Sequence, residues 1–354
     1  MKQTVVNVEL APTGDAVRIV DQTLLPGELR CLDLRTRDEL YEAIYTLRVR
    51  GAPAIGIFAA FAVYVLSLGW PRDEKGFFAA LDADCDYLIA SRPTAVNLSV
   101  QAERQRALAH SLAGQSAQDI SAALLRQAQR IRQEDVDLCR AISEAGLSLL
   151  KDGDTVLTHC NAGPLATSEY GTGLGPLMLG AERGMTLHAL VDETRPLLQG
   201  ARLTAWELQN AGVDVTLICD NMASLAMKQG RVQAVMVGCD RMAANGDMAN
   251  KIGTSGAAVL AKYYGVPFYV LLPSSTIDLS CRSGADIPIE LRSGEEIASL
   301  WYEKRMAPQG ISFWNPAFDV TDHTLITAII TEHGVLYPPF DEGLRRIIKG
   351  SKTS

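Results

Sequence analysis

From Asp154 onward the chain changes rhythm, and that change constrains the fold more than any other feature. Short runs rich in β-branched residues, Thr155-Val-Leu-Thr-His, Thr186-Leu-His-Ala-Leu-Val, Val213-Asp-Val-Thr-Leu-Ile, Ala234-Val-Met-Val and Phe268-Tyr-Val-Leu-Leu, alternate with segments of helical periodicity. Near-continuous apolar strands separated by helices predict a parallel, Rossmann-like sheet with helices on its faces. In such a sheet ligands bind beyond the carboxyl ends of the strands, where the strand order reverses, so chemistry is expected in the residues that follow each run. The rule nominates His159 and Cys160, Asp192 and Glu193, Asp220 and Asn221, and Cys239 and Asp240.

Before Asp154 the texture is different. Ala16-Val-Arg-Ile-Val-Asp and Leu29-Arg-Cys-Leu-Asp-Leu read as strands of a small antiparallel sheet. Apolar residues at three- and four-residue spacing then predict helices over 38–49, 52–68, 74–90, 96–112 and 118–150, separated by Gly, Pro or Asn. The expectation is an α/β protein of two domains, which suits a length of 354 residues. A mainly helical N-terminal domain with a small β-sheet spans 1–150, and a Rossmann-like domain spans 151–354.

Composition removes several function classes. Hydrophobic residues at 47% against 21% charged are incompatible with a disordered or charge-solvated linker and predict a soluble globular protein. A net charge of -8 argues against broad electrostatic binding to nucleic acid or anionic membrane, so an anionic ligand has to be held by a few placed groups. The apolar stretch from Gly51 to Trp70 is interrupted by Pro53 and rich in Ala and Gly, which suits a buried helix better than a membrane span. Met1-Lys-Gln-Thr shows no basic segment leading into an apolar one, so no secretory signal and a cytoplasmic location are expected. The 7 cysteines are scattered without a CxxC pair, which argues against disulfides and structural zinc.

Four places carry residue types that chemistry requires. In Thr158-His-Cys-Asn-Ala-Gly, Cys160 follows a strand and precedes a Gly-containing turn, where a thiol can face the ligand crevice; the other cysteines read as space-filling. His159 and Cys160 are neighbours in an extended segment and point to opposite sides, so His159 reads as a packing residue rather than the partner of the thiol. Asp240 stands at the end of a central strand, and Asn245-Gly246-Asp247 is a turn signal that folds the chain back over it, bringing up Asn250 and Lys251. A carboxylate in a dry crevice serves as general acid or base; alone it would read as a turn or cap residue. In Arg48-Val-Arg-Gly-Ala-Pro-Ala-Ile-Gly, Pro53 suits a first helical turn and Gly51 admits close approach, so Arg50 beside helix N–H groups forms a phosphate seat; Arg92, next to Pro93, is a similar case. Gln199 lies where the Asp192–Gly200 strand exit enters a helix and can reach the crevice. The glycines of Glu169-Tyr-Gly-Thr-Gly-Leu-Gly read GxGxG rather than GxGxxG, a weak dinucleotide signal, and Walker A, HExxH and GxSxG sequences are missing.

Arg50-Gly-Ala-Pro-Ala-Ile-Gly, Ser91-Arg-Pro-Thr-Ala-Val-Asn-Leu, Thr158-His-Cys-Asn-Ala-Gly, the run from Asp192 to Leu208 and Asp240-Arg-Met-Ala-Ala-Asn-Gly-Asp-Met-Ala-Asn-Lys together resemble the S-methyl-5-thioribose-1-phosphate isomerase family, over nearly the whole chain. The resemblance implies aldose-to-ketose isomerisation in methionine salvage, kinship with the regulatory subunits of the translation-initiation guanine-nucleotide exchange factor, a homodimer, and neither metal nor other cofactor. It further implies Cys160 and Asp240 as the catalytic pair, and Arg50, Gly51, Ala52, Arg92, Gln199, Asn250 and Lys251 as substrate contacts. The alternatives are a same-fold isomerase of ribose 1,5-bisphosphate or 5-deoxyribose 1-phosphate, and a non-catalytic regulatory subunit, which would be expected to have lost the catalytic pair. An NAD-dependent oxidoreductase would need a better glycine fingerprint.

Overall fold

The computed structural model describes residues 6–93 and 95–351. The Met1-Lys-Gln-Thr stretch read for a targeting signal, and Thr94 of the Ser91–Asn97 run, lie outside the described residues. The described chain falls into two compact units, one running up to Asp137 and including Pro164–Gly171, the other comprising Leu138–Gly163 and the chain from Thr172 onward.

The first unit opens with strands β1 (Val8–Leu10), β2 (Val17–Val20) and β3 (Cys31–Leu34), which pair antiparallel in that order. Helices α1 (Arg37–Tyr45), α2 (Ala52–Ser67), α3 (Glu74–Ala90), α4 (Val96–Ser111) and α5 (Ala117–Leu147) follow, and the end of α5 passes into the second unit. The apolar stretch is α2, buried at every position from Ala54 to Ser67 because it is the central helix of this unit's core. Among the described residues no helix is long and apolar enough to cross a membrane. Small residues let α4 press against α2: a Cβ on Gly56 would stand 3.0 Å from the Asn97 carbonyl oxygen and 3.1 Å from Gln101. Further along, the Gln105 side-chain amide donates to the Ala60 carbonyl at 2.9 Å. Both helices advance together along these contacts, so α2 and α4 run parallel, with their N-termini and the preceding Arg50 and Arg92 at one end of the pair.

In the second unit the strands are β4 (Thr155–Thr158), β5 (His188–Asp192), β6 (Asp214–Ile218), β7 (Ala234–Val237), β8 (Arg241–Ala243), β9 (Met248–Lys251), β10 (Phe268–Leu271), β11 (Ile277–Asp278), β12 (Phe318–Thr321), β13 (Ala328–Thr331) and β14 (Gly334–Leu336). Seven of them form one sheet in the order β14-β13-β10-β7-β4-β5-β6, parallel except for the hairpin to β14. All five strands expected from the β-branched runs are present in it. Helices α6 (Gly175–Glu182), α7 (Ala205–Ala211), α8 (Ala223–Lys228) and α9 (Thr254–Tyr264) lie among them in sequence, and α10 (Glu295–Ala298) and α11 (Asp341–Ser351) come later. The chain passes from β4 through β5 to the edge strand β6 and then returns to lay β7 on the other side of β4, so the strand order reverses between β4 and β7. One expected strand is not sheltered on both faces: the edge strand β6 has only exposed and half-buried residues, Leu217 among the exposed.

A second sheet, β11-β8-β9-β12, was not foreseen. Its strands have two to four residues, too short to show a period of two, and only the turn between β8 and β9 announces itself in the sequence.

Candidate active site

Cys160 and Asp240 follow β4 and β7, the adjacent parallel strands at which the order reverses, with Val156 level with Ala234 and Leu157 with Val235. Side-chain bulk is absent where the two exits pass each other. A Cβ on Gly238 would stand 2.7 Å from the Ala162 Cβ, and one on Gly173 would stand 2.9 Å from the Gly238 nitrogen. The Thr172 amide also donates to the Ala162 carbonyl at 2.9 Å, tying down the glycine-containing segment that follows.

The Asn245-Gly246-Asp247 turn does fold the chain back. β8 and β9 pair antiparallel, Arg241 opposite Ala249, and the Asp240 amide donates to the Ala249 carbonyl at 3.0 Å, which sets Asn250 and Lys251 beside the aspartate. Asp247 closes the turn by accepting from the Asn245 side chain at 2.8 Å, from the Gly284 and His323 amides at 2.9 Å each, and from the His323 ring at 2.7 Å. Burial opposes its charge, but these donors outweigh burial and pull its carboxyl down to about 2.

Lys251 is buried, with its ammonium donating to the Ala317 carbonyl at 2.7 Å and lying 4.4 Å from the Phe318 ring centre. Burial lowers the proton affinity of this amine, while Cys160 and Asp240 both act on it electrostatically in the opposite direction. A single ammonium thus feels both the thiol and the carboxylate, which lie 80 positions apart in sequence. Asn250 is buried and donates to the Thr254 hydroxyl at 3.1 Å. Gln199 is buried too, immediately before a π-helical turn, Gly200–Thr204, that leads into α7; such turns recur at functional sites.

Asp240 corrects one expectation. Its side chain is exposed rather than enclosed in a dry crevice, because β7 ends at Val237 and the residues before β8 carry the carboxyl out of the sheet. Cys160 is half-buried, and its backbone is left-handed at φ +68°.

His159 has more to do than fill space. Its Nε2 lies 2.8 Å from the Ile252 carbonyl oxygen, which can only accept, so Nε2 carries hydrogen; Nδ1 lies 3.0 Å from Asp192 Oδ2. Both groups are buried. Burial disfavours charge on the ring, but the Asp192 partner outweighs it and raises the proton affinity of His159, while burial raises that of Asp192. The pair keeps a shared proton and ties the exits of β4 and β5 to the end of β9. Gly253 is required beside it: a Cβ there would stand 2.7 Å from His159 Cε1.

Metal-ligating atoms of His159, Asp192 and Asp220 come within 4.8 Å of one another, as do those of Asp247, Asp322 and His323. Both clusters are knitted by hydrogen bonds within the protein: Asp220 receives the Thr194 and Arg195 amides at 2.7 Å each, and Asp247 receives the donors named above. Glu193, also nominated by the strand-exit rule, joins the network through its backbone: its amide donates to the Ile218 carbonyl at 2.8 Å and its carbonyl accepts from the Ala201 amide at 3.3 Å.

In the other unit, Gly51 caps α2 without a side-chain hydrogen bond, at φ +94°. A Cβ there would stand 2.4 Å from the Ala166 Cα, and the Ala54 amide donates to the Ala166 carbonyl at 3.1 Å, so the close approach that Gly51 admits is to this backbone. Ala52 is exposed, Arg50 and Arg92 are half-buried, and they mark the end where the α2 and α4 N-termini lie.

The residues sequence reasoning missed are Asn161, Thr194, Thr204 and Glu207. The Cys160 amide donates to the Thr194 hydroxyl at 2.9 Å, and the Thr204 hydroxyl donates to the Cys160 carbonyl at 2.6 Å. Asn161 donates to Thr204 at 3.1 Å and to the buried Glu207. Thr194 lies inside the Asp192–Gly200 strand exit already noted for Gln199; Thr204 and Glu207 sit in a stretch of ordinary helical composition that gives no sign of their partners.

A family model described as the initiation factor 2 subunit family matches residues 48–338. A methylthioribose-1-phosphate isomerase of Symbiobacterium thermophilum is 55% identical over 350 residues, covering 99% of this chain and 98% of that protein. A 5-deoxyribose 1-phosphate isomerase of Petrotoga mobilis is 52% identical over 347 residues, covering 98% of this chain and 100% of that protein. Among solved structures, 5-methylthioribose 1-phosphate isomerase from Pyrococcus horikoshii superposes with a TM-score of 0.94 at 39% identity, covering 98% of this chain and 97% of that one. A chain described as subunit delta of translation initiation factor eIF-2B from A. fulgidus superposes with a TM-score of 0.90, also at 39% identity, covering 98% and 100%.

Proposed function

This chain belongs to the initiation factor 2 subunit family, and on that premise we propose that it converts S-methyl-5-thio-α-D-ribose 1-phosphate to S-methyl-5-thio-D-ribulose 1-phosphate. It is an aldose–ketose isomerase. What supports the reading is the position of Cys160 and Asp240 after the two adjacent strands at which the order reverses, in a chain matched along almost its whole length by an isomerase. A regulatory subunit has no need of such a pair.

An anomeric phosphate locks C1 as an acetal, so the ring must open by protonation of its oxygen while the bond from C1 to phosphate survives. Asp240 in its neutral form donates that proton and later accepts the proton of the C2 hydroxyl. Hydrogen then passes from C2 to C1, as a proton through an enol phosphate with Cys160 as base, or as a hydride with Cys160 stabilising the developing charge. Because Asp240 is exposed in the free chain, the sugar itself has to cover it for water to be kept away. Gln199, Asn250 and Lys251 hydrogen-bond the sugar hydroxyls. Arg50, Gly51, Ala52 and Arg92, gathered where the parallel α2 and α4 begin, present two guanidiniums and two helix N-termini, a combination suited to phosphate.

The protein acts in the cytoplasm as a homodimer. A second copy is supported by the family resemblance and by exposed apolar side chains on β6, on the turn before α8, on α8 and on α9: Leu217, Met222, Leu225, Val259 and Tyr263.

The relative named for 5-deoxyribose 1-phosphate, at 52% identity, favours a second substrate that differs only in the 5-substituent. Supplying methylthioribose 1-phosphate, 5-deoxyribose 1-phosphate and ribose 1,5-bisphosphate separately and following ketose formation tests both readings. Turnover of the first is expected, and inertness toward all of them overturns the assignment. Loss of deuterium from C2 to solvent marks the enol route, and its retention marks the hydride route.

A further inference from the structure

Few residues with a Cβ occupy the left-handed region, and one that does so persists only where its surroundings over-determine it. Cys160, at φ +68°, is held on both sides. Its amide hydrogen goes to the Thr194 hydroxyl at 2.9 Å, and its carbonyl oxygen receives the Thr204 hydroxyl at 2.6 Å.

Each threonine is itself fixed. Thr194, left-handed too at φ +63°, has its amide and that of Arg195 on the two oxygens of Asp220 at 2.7 Å each, and its hydroxyl hydrogen goes to the Asp192 carbonyl at 3.1 Å. Thr204 accepts from the Asn161 amide at 3.1 Å, and that amide is anchored in turn on the buried Glu207. The π-helical turn sets Thr204 at this reach, and that turn needs a glycine: a Cβ on Gly200 would stand 1.7 Å from the Asp192 carbonyl oxygen. The exits of β6, β5 and β4, neighbours in the sheet, are thereby linked in series, Asp220 to Thr194 to Cys160.

We propose that Thr194 and Thr204 are positioning residues for the isomerisation, clamping the Cys160 backbone in its left-handed conformation so that the thiol meets the sugar at a fixed angle. The proposal rests on the reading of Cys160 as a catalytic group. Each hydroxyl both donates and accepts within the protein, so both act through the peptide units on either side of the cysteine.

The test uses the full chain with Thr194→Val and Thr204→Val, which keep shape and remove the hydroxyl, beside Thr194→Ser and Thr204→Ser, which keep the hydroxyl. Two quantities are read: kcat and KM with methylthioribose 1-phosphate, and the rate at which iodoacetamide modifies Cys160, followed by peptide mass so that the exposed Cys31 and Cys219 are counted separately. The valine variants are expected to lose about 10- to 100-fold in kcat, the scale of a small misplacement of a reacting group, with KM little changed. They are expected to alkylate Cys160 several-fold faster, because the thiol is no longer held, while the serine variants stay close to wild type in both. Folded valine variants with wild-type kcat and wild-type alkylation overturn the proposal, and so do serine variants that fall as far as the valine ones. If the wild-type chain leaves the sugar unchanged, the functional reading fails, and the alkylation rates decide the clamp without it.

Discussion

Cys160 and Asp240 were nominated by position, because in a parallel sheet ligands bind beyond the strand ends where the order reverses, and the fold does place both after the adjacent strands β4 and β7. The roles proposed for them predict that Asp240→Asn abolishes isomerisation while leaving the fold and phosphate affinity largely intact; wild-type turnover by that variant would refute the acid/base role. Cys160→Ser should cost roughly a hundredfold or more in rate, the scale of one acid/base or charge-stabilising group. A loss below about threefold would put Cys160 among the space-filling cysteines. His159 shows the limit of such reading. Alternation along an extended strand argued that its ring points away from the thiol, but could not show that the ring meets a carboxylate 33 positions on and a carbonyl 93 positions on.

The elements matter through what they force on these residues. The β8–β9 hairpin is encoded locally by Asn245-Gly246-Asp247, and its pairing returns Lys251 toward Asp240, whereas the reach of Lys251 to Cys160 also needs β4 beside β7. The π-helical turn is the opposite case, since its reason lies in the backbone of β5. Gly200→Ala should therefore lower stability by about 1–3 kcal/mol, the usual cost of forcing a methyl into a filled space, and reduce activity together with it, since Thr204 loses its seat on Cys160. Gly256→Ala in α9 is the control: a Cβ there meets nothing within 4 Å, so a helical alanine should raise stability by about 0.5–1 kcal/mol. Urea denaturation of both decides, and equal midpoints would show that the Asp192 carbonyl does not enforce the glycine.

For the molecule as a whole, the Asp247 hub links the β8–β9 turn to Gly284 and His323, and its titration enters the acid stability of the fold. Its folded value, about 2, lies below the ordinary 3.8. Stability from this carboxylate is therefore fully present above the unfolded value and disappears as pH falls through the folded one. Asp247→Asn should lower the urea midpoint at pH 7, and the gap to wild type should narrow between about 4 and about 2; a gap independent of pH would mean that Asp247 acts only as a neutral acceptor. The alternation of β-branched runs with helices already specified the α/β class, the helical first part and the strand exits, because periodicity and turn chemistry are properties of neighbouring residues. Which exits meet, the second sheet, the exposure of Asp240, the threonine hydroxyls on either side of Cys160 and the glycines pressed against backbone were decided only by the folded chain. Each of these depends on which strands come to lie side by side, a choice made by burial summed over the whole core rather than by any local run of sequence.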